Sequence, residues 1–172
     1  FNQKLIHAGF EPICVSVNVS TIQLRGTRLL EAIETLYKKA NAPLTYLKIE
    51  LTESVLMKNF EHNLAVINRM RELGVQIALD DFGTGYSSFN YLRKLPITEI
   101  KIDREYTRQL QDSHYKQTFV SFIHQLSKEM KVGLCVEGVE TKEELEVLEN
   151  MGIDTVQGFY FEQPMEADMI SR

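Results

Sequence analysis

Residues 75–81 read Val-Gln-Ile-Ala-Leu-Asp-Asp, and the alternation inside them decides the fold. Side chains on an extended strand point to opposite faces in turn. Ile77 and Leu79 therefore share one face, while Ala78 and Asp80 share the other. The same split recurs along the chain. Val15, Val17 and Val19 oppose Ser16 and Asn18 in 14–20, and Leu47, Ile49 and Leu51 oppose Lys48 and Glu50 in 46–51. Ile100 and Ile102 oppose Lys101 and Asp103 in 99–103, Leu134 and Val136 oppose Cys135 and Glu137 in 132–137, and Val156 opposes Gln157 in 155–161.

Between these six segments the apolar spacing is helical. Leu29, Leu30, Ile33, Leu36 and Tyr37 in 27–40 mark one helix, and Leu64, Ile67, Met70 and Leu73 in 59–73 mark a second. Residues 105–130 and 142–151 read the same way, and Thr141 with Glu144 three residues on forms a capping box. Gly74 and Gly152 stand where helices stop, and Gly26, Pro43 and Pro96 mark turns. Strands alternating with helices predict a parallel sheet. The strand markers Asn18, Glu50, Asp80, Lys101, Glu137 and Gln157 recur about every 28 residues, close to the ~31 of a ~250-residue eight-unit barrel. The expectation is an α/β fold, a (β/α)8 barrel with about six of its eight strands, in one domain over 1–172. Residues 1–7 read as the end of a helix, so the absent units fall before Phe1. Such a barrel exposes sheet edges and is expected to self-associate, swap elements or be marginally stable.

Composition narrows the function. The 172 residues are 44% hydrophobic and 25% charged, ordinary for a folded domain. The net charge of −5 argues against a basic groove for DNA or RNA. No apolar run approaches the ~20 residues of a membrane span, so neither membrane contact nor secretion is expected, and the location is read as cytoplasmic. Cys14 and Cys135 are too far apart for CxxC spacing and read as two buried, reduced thiols.

In a barrel the aliphatic strand faces pack under the helices, and polar residues at the strands' C-terminal ends point into the mouth. Several carboxylates converging there repel one another unless cations occupy the site. The all-oxygen set Asn18, Glu50, Asp80, Asp81 and Glu137 suits hard divalent ions, Mg²⁺ or Mn²⁺, better than zinc. Two such ions can bind a phosphodiester, activate water and stabilise the leaving oxygen. Lys101 is the cation among these acids. It either assists the water and the transition state or forms a structural ion pair.

Six strings, VNVS (17–20), IELTES (49–54), DDFGTGYSS (80–88), EIKID (99–103), VEGVET (136–141) and VQGFYF (156–161), stand in the order and spacing of EAL-domain cyclic di-GMP phosphodiesterases. The chain resembles that family over about residues 15–164. The resemblance implies a modified TIM barrel that hydrolyses cyclic di-GMP to linear pGpG with two Mg²⁺ or Mn²⁺ ions, in bacterial signal transduction. It makes Asn18, Glu50, Asp80, Asp81 and Glu137 metal ligands, with Asp81 binding the second ion or orienting water. It makes Lys101 the residue that assists the water and Gln157 a water or phosphate contact. Glu53, Glu140 and Asp103 are supporting carboxylates, Glu53 fastening the loop that begins at Asp81. That loop, with Phe82, Gly83, Thr84 and Gly85, resembles a flexible lid that couples dimerisation to metal binding. A homodimer and flanking GGDEF or sensory domains are the implied partners beside cyclic di-GMP.

The name-giving Glu-Ala-Leu does not occur in this sequence, and Glu31-Ala32-Ile33 lies in a helical stretch after VNVS. The alternative reading is a catalytically inactive cyclic di-GMP sensor or protein-interaction domain. His7, His62, His114 and His124 fall on predicted helices without metal spacing, and Phe119, Phe122, Ile123 and Leu126 read as a core stripe.

Overall fold

The computed structural model of the chain describes residues 2–7, 9–39, 44–85 and 89–166. It divides into two compact units, Phe1–Ile100 and Lys101–Arg172. Six strands run through the sheet in sequence order.

The first unit begins with α1 (Asn2–His7), followed by β1 (Val15–Asn18), α2 (Thr21–Arg25), α3 (Arg28–Lys39) and β2 (Leu47–Thr52). It continues through α4 (Glu53–Met57), α5 (Phe60–Glu72), β3 (Gln76–Phe82) and α6 (Phe89–Leu92) to β4 (Glu99–Ile102), whose last two residues belong to the second unit. β1, β2 and β3 pair in parallel, as strands joined by helical connections must. The predicted aliphatic face forms the core: Ile49, Leu51, Ile77 and Leu79 are buried with Ile67 and Met70 of α5.

Burial of that face does not extend to β1. Val15 and Val17 are 38% and 43% exposed, because β1 is the edge strand and no described strand lies beyond it. Cys14, read as buried, is exposed for the same reason. Leu36 on the predicted face of α3 is also exposed. The short helices α2 and α4 were not predicted. α2 nevertheless carries a signal, since Ser20 and Gln23 form a capping box. Pro43 and Ala40 lie outside the described residues.

In the second unit, α7 (Arg104–Thr107) and α8 (His114–Met130) replace the single helix expected over 105–130. Gln109 adopts a left-handed conformation with φ 55°, and Ser113 caps a new helix by accepting from Lys116 N. Then follow β5 (Gly133–Glu137), α9 (Lys142–Asn150) and β6 (Val156–Gln157). β5 and β6 pair in parallel, Glu137 level with Gln157. β6 is shorter than the expected 155–161, because the chain turns at Gly158, where a Cβ would lie 2.0 Å from the Val139 carbonyl oxygen. Tyr160 N then donates to that same oxygen. Ile102, Leu110, Val120, Ile123, Val136 and Leu148 form the core of this unit. Phe122 of the predicted stripe is half exposed. Tyr106 stacks on Phe119 with ring centroids 3.9 Å apart, and burial pushes its phenol pKa up. Neither His114 nor His124 of α8, nor His62 of α5, joins a candidate metal cluster among the described residues.

Candidate active site

In the first unit the sheet register places the predicted polar residues side by side. Asn18 at the end of β1 is level with Glu50 of β2. Asp80 of β3 is level with Thr52, one step of the same face beyond Glu50. Glu50 and Asp80 are 6% and 8% exposed. Carboxylates so far from water hold their charge only where hydrogen bonds or cations compensate it.

Asp80 and Asp81 are consecutive, and a regular strand would turn them to opposite faces. Their carboxylate oxygens nonetheless approach within 4.8 Å of one another. The cause is a left-handed backbone at Asp81, with φ 53°, which breaks the alternation at the end of β3. Non-glycine residues rarely adopt it, and Asp is among the few enriched there. Thr84 holds the bend, its hydroxyl and its N–H both donating to the Asp81 carbonyl oxygen at 2.8 and 3.3 Å.

Glu53 opens α4 and is 4% exposed. The predicted loop runs directly across its carboxylate: a Cβ on Gly85 would stand 2.8 Å from Oε1. Only glycine fits that approach without moving Glu53. Oε2 of Glu53 is buried with no hydrogen-bond partner among the described residues. Residues 86–88 of the loop lie outside the described residues. Asn63 of α5 supports α4 from below, its amide donating to the carbonyls of Val55, Leu56 and Lys58.

One step back along the polar faces, Lys48 and Glu99 form an ion pair at 2.5 Å, each less than a fifth exposed. Each precedes a predicted site residue by two positions, Lys48 before Glu50 and Glu99 before Lys101. Sequence reading placed Lys48 on this face but gave it no partner.

In the second unit Lys101 Nζ lies 2.6 Å from Glu137 Oε1, the two side chains 5% and 19% exposed. Gln157, in register with Glu137, is exposed. Asp103 caps α7, its carboxylate accepting from Glu105 N at 2.8 Å. Glu140 is exposed, and its backbone N–H donates to Glu144. Two contributors here were not singled out as site residues. Thr107, fully buried, donates its hydroxyl to the Glu137 carbonyl at 2.5 Å. Glu144, whose capping box was legible, also accepts from Gln109 N, 35 residues upstream.

A family model described as EAL domain matches residues 3–164. The chain belongs to the EAL domain family. Among relatives of this EAL domain, the cyclic di-GMP phosphodiesterase PA2567 of Pseudomonas aeruginosa is 38% identical over 90% of this chain and 26% of its own length. The cyclic di-GMP phosphodiesterase PdeR of Escherichia coli is 37% identical over 92% of this chain and 24% of its own. The chain thus spans about a quarter of the length of these curated relatives. Among solved structures, a PaMucR phosphodiesterase complex with c-di-GMP superposes with a TM-score of 0.89 at 32% identity, covering 96% of this chain and 67% of that one. A manganese and cyclic di-GMP complex of Klebsiella pneumoniae BlrP1 gives 0.79 at 30% identity, covering 87% and 38%. The fold is therefore that of the EAL domains, a modified TIM barrel of which this chain supplies six parallel strands.

Proposed function

We propose that this EAL domain hydrolyses cyclic di-GMP to linear pGpG with two divalent ions, Mg²⁺ or Mn²⁺, in cytoplasmic second-messenger signalling. The observation that carries the reading is the pair Asp80 and Asp81, two consecutive carboxylates turned toward each other by a left-handed residue. Such an arrangement suits a divalent cation held by carboxylate oxygens. The donor set is entirely oxygen, which suits the hard ions better than zinc.

On this reading Asn18, Glu50, Asp80, Asp81 and Glu137 hold the metals. Bound divalent ions supply positive charge at the phosphoryl oxygens and make water more acidic. The chain's own residues do the rest. Lys101 carries a proton-rich ammonium at the Glu137 carboxylate, where it orients the attacking water and offsets charge on the phosphoryl group. Gln157, level with Glu137 and open to solvent, contacts water or phosphate. Glu53 fixes the loop of Phe82, Gly83, Thr84 and Gly85 over the Asp81 backbone, and Glu140 and Asp103 brace the ends of β5 and β4. Residues 1–172 are read as one EAL-type domain, with a homodimer and flanking GGDEF or sensory domains as partners. What supports the flanking domains is a longer relative named as a bifunctional diguanylate cyclase/cyclic di-GMP phosphodiesterase, of which this chain covers 23%.

The test is Mn²⁺-dependent conversion of cyclic di-GMP to pGpG by the purified chain. Turnover that disappears in Glu50→Ala supports the reading. Tight binding of cyclic di-GMP without turnover replaces it by a sensor, and neither binding nor turnover refutes it.

A further inference from the structure

Segment 101–109 lies along segment 137–141 and is fastened to it at four successive points, all within the second unit. Lys101 pairs with the Glu137 carboxylate at 2.6 Å. The Arg104 side chain packs so closely on Gly138 that a Cβ there would lie 2.2 Å from Arg104 Cβ. The Thr107 hydroxyl donates to the Glu137 carbonyl at 2.5 Å. The Glu144 carboxylate, 4% exposed, accepts from Gln109 N on one oxygen at 2.9 Å, and from Glu140 N and Thr141 N on the other at 2.9 and 3.1 Å.

Each fastening has a physical reason to be stiff. A buried carboxylate that accepts three N–H groups is held in one orientation. A hydroxyl buried to zero exposure loses its hydrogen bond, with no water to replace it, if it turns away. Gly138, at φ 73°, is the residue directly after Glu137, so this contact acts on the Glu137 backbone itself. We propose that α7 and its following turn form a splint that sets the position of Glu137, with Thr107 and Glu144 as positioning residues that touch no substrate. The proposal rests on the reading of Glu137 as a metal ligand, and it extends the functional set to two residues outside the six strings. Outer partners that orient a ligand are commonly worth 10–100-fold in metal affinity.

The experiment compares wild type, Thr107→Val, Thr107→Ser, Glu144→Gln and the exposed control Gln125→Ala. Mn²⁺ binding is read by electron paramagnetic resonance, and amide hydrogen exchange is followed over residues 137–141. Val keeps the shape of Thr without the hydroxyl, and Ser keeps the hydroxyl. Thr107→Val and Glu144→Gln are expected to weaken Mn²⁺ binding about 10-fold and to speed exchange at 137–141, with α8 exchange unchanged. Thr107→Ser and Gln125→Ala are expected to match wild type. Wild-type Mn²⁺ affinity in Thr107→Val overturns the splint, as does weakened binding that Thr107→Ser fails to restore. If wild type binds no Mn²⁺, the metal reading of Glu137 fails by itself. The splint then stands or falls on whether Thr107→Val speeds exchange at 137–141 selectively.

Discussion

Asp81 is the residue on which backbone and chemistry meet. At φ 53° it is tolerable for Asp or Asn but strained for a β-branched side chain. Asp81→Asn is therefore expected to keep stability within about 0.5 kcal/mol while lowering Mn²⁺ affinity at least about 10-fold. Asp81→Val is expected to lose about 1–3 kcal/mol as well, measured by urea unfolding; equal stability of the two variants would refute the strain. Lys101 gives the second prediction at this scale. Removing the cation from its partner leaves Glu137 largely buried without its ion pair, so Lys101→Met is expected to cost about 3 kcal/mol or more. The double variant Lys101→Met with Glu137→Leu is expected to recover most of that loss, since an apolar pair replaces a buried ion pair at little cost. The carboxylates were legible as residues because strand parity marks the polar face. Their mutual approach at 80 and 81 was not, because parity alone sends consecutive residues to opposite sides.

Short helices after the strands decide where the supporting groups stand. α4 begins at Glu53, directly behind β2, and its carbonyl end is satisfied by the Asn63 amide reaching from α5. Asn63 is 2% exposed, so Asn63→Ala strands several buried carbonyls. It is expected to cost about 2 kcal/mol in urea unfolding and to speed amide exchange in α4. An unchanged exchange rate in α4 would mean that Asn63 acts elsewhere. The longer helices α3, α5 and α9 were readable because their apolar residues recur at helical spacing. α2, α4 and α6 span only four or five residues, too few for periodicity to register. The break between α7 and α8 escaped reading for a related reason: apolar spacing continues through 105–130, and only the left-handed Gln109 with the Ser113 cap interrupts it.

For the molecule as a whole, the proposed divalent ions would relieve the repulsion among the clustered acids. A ligand bound only by the folded chain stabilises it by about 2.7 kcal/mol at a hundred times its dissociation constant. Mn²⁺ at that excess is expected to raise the unfolding free energy by about this amount in wild type and not in Glu50→Ala, with EDTA reversing the gain; an equal gain in both would place the ions away from Glu50. The exposed Val15, Val17 and Ile22 of the β1 side show where whole-chain reasoning from local pattern stops. An alternating strand announces an aliphatic face, but whether anything covers that face depends on elements far away in sequence. The sequence by itself determined the alternation of strands and helices, the aliphatic face of each strand, the capping of α9 and the family, since these follow from local periodicity and from strings of fixed order. Only the tertiary structure decided that Asp80 and Asp81 converge, that Lys101 pairs with Glu137, that Gly85 lies against Glu53, and that Thr107 and Glu144 hold the β5 end. Each of these depends on a backbone angle or a contact across many residues, and neither leaves a period in the chain.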